Sequence, residues 1–249
     1  RILMSGHSKW STIKRKKGAN DAKRGKLFAK LIRAIEVAAK NGGPDPANNA
    51  SLYQAISKAK SMSVPNSNIE NALKRLSGQQ DSDDYEEVFY EGYGPHGVAI
   101  LVECLTDNRN RTSSDVKSTF SKYNGSTGAP GSVNYLFERK AIFQFDSISD
   151  ELINIAIENS CLDFTENTSG VTFEFNPKDF KKMNEVFRSH SYESNISEVA
   201  YVASTPVMIN LDQFKQVTNL IETLEDLDDI QNVYTNFDID EKLLDTKII

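Results

Sequence analysis

The chain has 249 residues, of which 39% are hydrophobic and 26% charged, so it carries enough apolar material for two or three domains and is not a disordered or fibrous protein. Its two cysteines, Cys104 and Cys161, lie far apart in apolar stretches, which argues against a disulfide scaffold and favours a reducing compartment, the cytoplasm. Its apolar runs are shorter than the roughly 18 residues that span a bilayer, so we expect no membrane partner.

Charge is divided unevenly along the chain. Residues 1–80 hold 16 lysines and arginines against 4 acidic residues, and residues 81–249 hold the remaining 13 cations and 31 anions. The net charge of −6 therefore separates into +12 and −18. A basic segment ahead of an acidic body is typical of a module that binds a polyanion, and nucleic acid is the first partner to consider.

Residues 9–24 are rich in cations and poor in large apolar side chains. We expect them to form a mobile arm, because such a segment buries too little surface to offset its ordering entropy. Stacking of Trp10, the single tryptophan, on an unpaired base would favour RNA over duplex DNA. The cations that we assign to nucleic-acid contact, together with Trp10, are Lys9, Lys14, Arg15, Lys16, Lys17, Lys23, Arg24, Lys26, Lys30 and Arg33.

Three helices are predicted after the arm. The first, between residues 20 and 41, places an apolar residue at every fourth position and a stripe of cations on the opposite side. Those cations are Lys23, Lys26, Lys30, Arg33 and Lys40. The second helix is expected to begin at Asp45 as N-cap, and the third at Ser67, which has a glutamate three residues later. Arm and helices form a domain at residues 4–80, whose cationic stripe is a nucleic-acid contact or, alternatively, a solvated helix face.

Beyond a polar linker at residues 81–84 the pattern changes to mixed helices and strands. A hairpin of two strands, residues 85–93 and 98–105, precedes a helix at residues 108–123. The elements that follow are a strand at 141–145, a helix at 149–158, strands at 161–164 and 171–175, a helix at 177–188 and a strand at 199–203. This β-α-β-β-α-β order is ferredoxin-like.

The last elements are too few to form a domain alone. They are a strand at 207–209, a helix at 212–225 and a strand at 230–237. We expect them to complete the hairpin unit, so that residues 81–134 and 207–249 form a discontinuous middle domain with an inserted domain at residues 135–206. A linear arrangement of three domains is the alternative. The predicted class is α+β and multidomain: three helices, then two α+β domains, the third domain inserted into the second.

Two arginines stand where a helix start normally disfavours cations. Arg109 and Arg111 would lie in the first turn of the helix that follows the hairpin. A phosphate shared between their guanidinium groups and the helix N–H groups would make a second anion contact. Ion pairs with Glu86, Glu91 or Glu103 are the alternative.

A glycine-rich loop follows this helix, with Gly125, Gly128 and Gly131. It lacks the Lys-Ser/Thr pair of a phosphate-binding P-loop and leads into a strand, so we do not expect nucleotide binding. A flexible loop that approaches another backbone closely when a large partner is engaged is one interpretation, and an ordinary connection is the other.

The sequence offers no catalytic constellation. The three histidines are scattered without metal-ligand spacing. Cys104 with nearby His96 and Asp107 is the one candidate triad, and a buried position in a strand is the better interpretation of Cys104. We therefore expect no enzyme, no metal and no cofactor.

Several ordered stretches closely resemble the YebC/PmpR family. They are residues 4–17 (MSGHSKWSTIKRKK), 21–28 (DAKRGKLF), 41–46 (NGGPDP), 90–95 (YEGYGP), 105–112 (LTDNRNRT) and 131–133 (GSV). The resemblance implies an all-helical first domain and two α+β domains, the third inserted in the second. It also implies a non-enzymatic cytoplasmic protein, usually described as a DNA-binding transcriptional regulator.

The same resemblance leaves the target open. Relatives that include the mitochondrial translational activator of cytochrome oxidase act in translation, and bacterial relatives look like ribosome-associated factors that relieve stalling. DNA and ribosomal or transfer RNA are both candidate partners, because phosphate contacts carry affinity without sequence information. A protein–protein adaptor that uses the acidic domains is a further alternative.

Overall fold

The computed structural model describes Trp10 and residues 21–76, 85–167 and 170–240. The chain folds into two units. Of the described residues, the first unit contains 27–76, 139–167 and 170–200, and the second contains Trp10, 21–26, 85–138 and 201–240. Each unit therefore combines segments that are distant in sequence.

The described helices and strands follow the predicted order. The helices are α1 (Asp21–Gly42), α2 (Ala50–Ser61), α3 (Asn66–Leu76), α4 (Arg109–Lys122), α5 (Asp150–Glu158), α6 (Phe180–Ser189) and α7 (Leu211–Glu225). The strands are β1 (Glu86–Tyr93), β2 (Ala99–Thr106), β3 (Ser126–Thr127), β4 (Phe137–Phe145), β5 (Asp163–Asn167), β6 (Gly170–Phe175), β7 (Ile196–Ala203), β8 (Val207–Met208), β9 (Ile230–Thr235) and β10 (Phe237–Asp238). Most limits lie within a few residues of those expected from the periodicity.

The N-terminal helices bury their apolar faces together. Leu31 and Ile35 of α1 share a core with Leu52 of α2 and Ile69 of α3, and each of these side chains is at most 5% exposed. The four-residue spacing in the sequence therefore identifies the buried face of α1 correctly.

Two helix starts differ from the prediction. Asn49, not Asp45, is the N-cap of α2, because its side chain accepts a 3.0 Å hydrogen bond from the N–H of Leu52. Asp45 instead caps a turn in the preceding loop. The third helix begins at Asn66, so Ser67 lies inside it and is not its N-cap. Asn, Asp and Ser side chains cap turns as readily as helices, so a sequence with several of them in a row does not fix the starting residue.

The sheet of the second unit is built around the predicted hairpin. Antiparallel β1 and β2 are flanked by β3 and β9 in the order β3-β1-β2-β9. Helices α4 and α7 contribute to its core, where Val102 of β2, Phe120 of α4 and Ile221 of α7 are fully buried. Because β9 pairs with β2, this sheet joins two segments that the β4–β7 region separates in sequence.

The sheet of the first unit has the order β5-β6-β4-β7, which is the ferredoxin-like arrangement of a β-α-β-β-α-β segment. Strand β6 pairs antiparallel with β4 and with β5. Its core is aromatic: the ring of Phe187 on α6 lies 5.3 Å from Phe143 and 6.1 Å from Phe173, centroid to centroid. Ser149, the first residue of the predicted helix, is the N-cap of α5 and accepts a hydrogen bond from the N–H of Leu152.

The structure confirms the α+β class, with a helical N-terminal region followed by antiparallel sheets that carry helices. The domain limits at residues 4–80, 81–134 with 207–249, and 135–206 stay a prediction. In the part of the chain that the structure describes, no helix is long and apolar enough to cross a membrane.

Candidate nucleic-acid interface

The predicted cationic surface is only partly within the described residues. Lys9, Lys14, Arg15, Lys16, Lys17 and the side chain of Lys23 lie outside them. Arg24 and Lys26 are exposed near the start of α1, and Arg33, two turns later, is half-buried. Lys26 Nζ lies 3.4 Å from Asp228 Oδ1 in a well exposed pair, which water screens strongly.

Lys30 requires a correction. The helical wheel places it opposite the apolar face of α1, but it is only 8% exposed. Helix α1 is therefore covered on the side of Lys30 as well as on its apolar side. A lysine buried this far makes its polar contacts inside the protein, so Lys30 is removed from the predicted nucleic-acid contact.

Trp10 also requires a correction. Its side chain is 3% exposed and belongs to the core of the second unit, with residues such as Val116, Leu220 and Leu224. Its Nε1–H donates a 3.3 Å hydrogen bond to Glu225 Oε1. A side chain enclosed in this way is not available to stack on an unpaired base. Burying a large aromatic side chain in a core lowers the free energy of the folded protein, and leaving it exposed in a cationic arm gives no such stabilisation.

Arg109 is held in a surface ion pair. Its Nε lies 2.5 Å from Glu86 Oε1, and the two side chains are 61% and 46% exposed. Tyr90 Oη donates a hydrogen bond to the carbonyl oxygen of Arg109. Glu86 is one of the partners that the alternative interpretation named. A pair this exposed contributes about 0–1 kcal/mol, so it constrains Arg109 weakly.

Arg111 is held much more firmly, and by partners that the sequence interpretation did not name. Its Nη2 lies 2.7 Å from Asp107 Oδ1 and 2.8 Å from Asp229 Oδ2. Hydrogen bonds first to Asp229 and then to Asp107 raise the pKa of Arg111 above its ordinary value. Asp229 is 7% exposed and also accepts a hydrogen bond from Thr112 Oγ1 at 2.7 Å. These two carboxylates give Arg111 a structural role that the alternative interpretation had assigned to other partners, while its side chain is still 48% exposed, so a second anion contact at Arg111 stays a prediction.

The glycine-rich loop is anchored by a buried carboxylate. Glu91, 8% exposed, accepts hydrogen bonds of 2.7 to 2.8 Å from the N–H groups of Gly131, Val133 and Asn134. Burial raises the pKa of Glu91, but the three backbone donors outweigh burial and the net pKa lies below its ordinary value. These bonds hold the backbone at Gly131, the last residue of the predicted flexible loop, and in the segment directly after it. Flexibility in the rest of the loop stays a prediction.

Close contacts and backbone conformation within the loop explain why glycine occupies these three positions. A Cβ on Gly125 would lie 2.8 Å from the carbonyl oxygen of Tyr93, and a Cβ on Gly128 would collide with the side chain of Ser132. Gly131 has φ of +88°, in the region that favours glycine. The loop does approach another backbone closely, but that backbone is strand β1 of the same unit.

The same loop presents a residue that sequence reasoning missed. Tyr135 follows the segment that Glu91 holds and is 72% exposed, the largest exposure among the large hydrophobic side chains of the described residues. A single tyrosine in a short loop gives no periodic signal, so the sequence could not distinguish it from a core residue.

The candidate triad does not assemble. Cys104 is fully buried in β2, as predicted, and its Sγ lies 3.9 Å from the carbonyl oxygen of Val102. His96 lies on the hairpin turn, where its ring nitrogens contact Gln213 and Gln216 of α7. No group of three potential metal ligands occurs among the described residues.

The fold and the charge distribution define a multidomain α+β protein with a cationic helical N-terminal region and acidic sheet domains. Residues 8–79 match the family described as the TACO1/YebC protein N-terminal domain, and residues 85–237 match the TACO1/YebC second and third domain. The chain therefore belongs to the TACO1/YebC family, which confirms the resemblance found in the sequence.

Full-length relatives support the assignment. A "probable transcriptional regulatory protein" of Borreliella afzelii is 46% identical over 243 residues, covering 96% of this chain and all of the relative. A protein of the same description from Geotalea uraniireducens is 46% identical, covering 97% of this chain and 99% of its own. The crystal structure of a conserved hypothetical protein from Aquifex aeolicus superposes with a TM-score of 0.78 at 39% identity, covering 90% of this chain and 94% of that one.

Proposed function

We propose that this protein is a non-catalytic, nucleic-acid-binding regulator of gene expression in the cytoplasm, and that it acts on DNA in transcription. The observation that carries the proposal is the separation of charge, +12 in residues 1–80 against −18 in the rest. The names of the relatives, which describe transcriptional regulatory proteins, support the choice of process.

The charge separation also gives the interaction an orientation. A basic segment releases counterions from a nucleic acid for each phosphate that it neutralises, while the acidic sheet domains repel the same polyanion. At about 0.1 M salt the Debye length is about 10 Å, so this repulsion acts over roughly the width of one helix. The nucleic acid is thereby directed to the helical region, and affinity falls steeply as salt rises.

A salt titration tests the proposal. Lys14, Lys16 and Lys17 are replaced together by alanine, and binding to a labelled 30-base-pair duplex DNA is measured from 50 to 200 mM salt. Each lost phosphate contact lowers the slope of log K against log salt by about 0.9. The matched control replaces Lys117, Lys122 and Lys215, three exposed lysines of the acidic part, and thus makes the same change in net charge. Equal slopes for the two variants would reject the basic segment as the contact.

A second experiment separates DNA from RNA. The protein is crosslinked in cells and the attached nucleic acid is sequenced. Promoter-proximal DNA supports the transcriptional proposal, and a predominance of ribosomal and transfer RNA overturns it in favour of translation. The sequence argument for RNA was stacking of Trp10 on an unpaired base, and the burial of Trp10 removes that argument. Retention of function after deletion of residues 1–24 would favour a protein–protein adaptor instead.

A further inference from the structure

We propose that the face formed by α2 and α6 in the first unit is a second phosphate-binding surface, which takes the backbone of the same nucleic acid. The inference rests on the proposed function and extends it from the basic N-terminal region to the acidic part of the chain. The side chains that form this surface are Lys60, Arg139, Lys178, Lys181 and Lys182.

The cations of this acidic region are concentrated at one place. Residues 139–200 contain 6 lysines and arginines against 11 acidic residues, a net charge of 6 − 11 = −5. Four of the six cations nevertheless fall within residues 178–188, which hold only Asp179 and Glu185 as anions. A random scatter of surface charge would mix the signs, whereas this segment reverses the sign of the region around it.

Helical geometry places two of these cations on one side of α6. Phe180, Met183 and Phe187 fill the core, whereas Lys181 and Lys182 lie on the exposed side of α6 together with Glu185. Lys178 is exposed in the short turn that precedes α6. The charged side of α6 therefore follows from the same 3.6-residue period that buries its aromatic side.

Contacts between α2 and α6 extend the surface. The ring of Tyr53 on α2 meets Phe180 edge to face at 6.0 Å, and Lys181 Nζ lies 5.7 Å from the centre of the Tyr53 ring. Arg139 Nη2 donates a 3.3 Å hydrogen bond to Gln54 Oε1, the next side chain along α2. Lys60 is seven residues after Tyr53 and thus lies two turns away on the same side of α2.

These cations differ from Arg109 and Arg111 in having no carboxylate of their own. In the described ranges no salt bridge joins any of the five to an acidic side chain, while Lys58 and Lys140 nearby are each paired, with Glu198 and Glu174. Like charges held on one exposed face repel one another, and a bridging phosphate converts that repulsion into attraction. Among the described residues, no ion pair of these five cations has to be broken before an anion binds.

The test uses the full chain and measures slope as well as affinity. Lys178, Lys181 and Lys182 are replaced together by alanine, with the Lys117/Lys122/Lys215 variant as the control of equal charge, and both bind the 30-base-pair duplex. Loss of three phosphate contacts should make the slope of log K against log salt less steep by about 2.7. Raising the salt from 50 to 200 mM should therefore weaken binding of the variant about 40-fold less than it weakens binding of the wild type. Replacing the same three lysines by arginine should restore wild-type binding.

The outcomes separate this inference from the proposed function. If the wild-type chain binds neither duplex DNA nor a single-stranded RNA of 30 nucleotides, the proposed function fails. If the N-terminal lysine variant weakens binding and the α6 variant behaves like its control, only the second surface is rejected. If poly-glutamate competes as well as the duplex at this face, an acidic peptide and not a nucleic acid is its partner. Unchanged thermal unfolding of the exposed-lysine variants excludes misfolding as the cause.

Discussion

Arg111 Nη2 lies 2.8 Å from Asp229 Oδ2, although 118 residues separate the two in sequence. Asp229 immediately precedes β9, and its carboxylate also meets the hydroxyl groups of Thr106 and Thr112. Arg111, which the sequence suggested as a contact for an external phosphate, thus joins the start of α4 to the start of β9. The nearly buried carboxylate of Asp229 balances the positive charge of Arg111, which the positive end of the helix dipole disfavours.

The first prediction concerns the two arginines separately. Arg111→Glu should lower the Tm clearly, because it sets two carboxylates against the nearly buried Asp229. Arg109→Glu should change the Tm much less, since its partner Glu86 is largely exposed. Thermal unfolding followed by circular dichroism measures both. Equal losses of Tm would contradict the distinction between the exposed pair of Arg109 with Glu86 and the pair of Arg111 with the nearly buried Asp229.

A second prediction follows from Trp10. Trp10→Ala should cost about 3–5 kcal/mol of unfolding free energy, the usual loss when a buried tryptophan is truncated. Tyr135→Ala is the matched control, because this aromatic side chain is 72% exposed and its removal should cost within about 0.5 kcal/mol. Urea unfolding measures both variants.

Trp10 also gives a direct optical measurement, since it is the single tryptophan of the chain. Its native fluorescence should be poorly quenched by iodide and should shift to longer wavelength on unfolding. Strong quenching in the native protein would show that Trp10 leaves the core in solution, and the base-stacking interpretation would then return.

The third prediction uses the pH dependence of Glu91. Its pKa in the folded protein is lowered, so its stabilising contribution is present above the unfolded value of about 4.3 and is lost as pH falls through the folded value. Glu91→Gln should therefore be less stable than wild type at pH 7, by about 1–3 kcal/mol for weakened hydrogen bonds to buried donors. The difference should shrink as the wild-type carboxylate is protonated.

Urea unfolding at pH 7 and at several values below pH 4 measures this difference. Glu166→Gln, an exposed position on β5, is the control and should show little difference at either pH. A Glu91→Gln deficit that stays constant over the whole range would mean that the ionised carboxylate does not hold the loop.

Periodicity predicts the elements of this protein well. Helix α1 and the hairpin of β1 and β2 lie within a residue or two of their expected limits, because their apolar residues repeat at 3.6 and 2.0 residues. The strand order β5-β6-β4-β7 in the sheet of the first unit also follows from its β-α-β-β-α-β order of elements. The limits of the elements and their order along the chain can both be read from local sequence.

The site was harder to predict because its contacts are distant in sequence. The partner of Arg111 lies in another segment, and the cover over Trp10 comes partly from α7. No local pattern reports these contacts. Charge clustering at residues 178–188 was visible in the sequence, but only the packing of Tyr53 against Phe180 connects that cluster to α2.

The last prediction separates three glycines by their surroundings. Gly125→Ala should destabilise by about 1–3 kcal/mol, because the added Cβ would lie 2.8 Å from the Tyr93 carbonyl oxygen and 3.2 Å from Gly94 Cα, so the backbone must move. Gly131→Ala meets no atom within 4 Å but must adopt φ of +88°, at a cost of about 1–2 kcal/mol. Gly25→Ala, in α1 with open space around it, should instead stabilise by about 1 kcal/mol. Urea unfolding of the three variants gives the comparison, and a neutral Gly125→Ala would show that the loop moves away from β1 without cost.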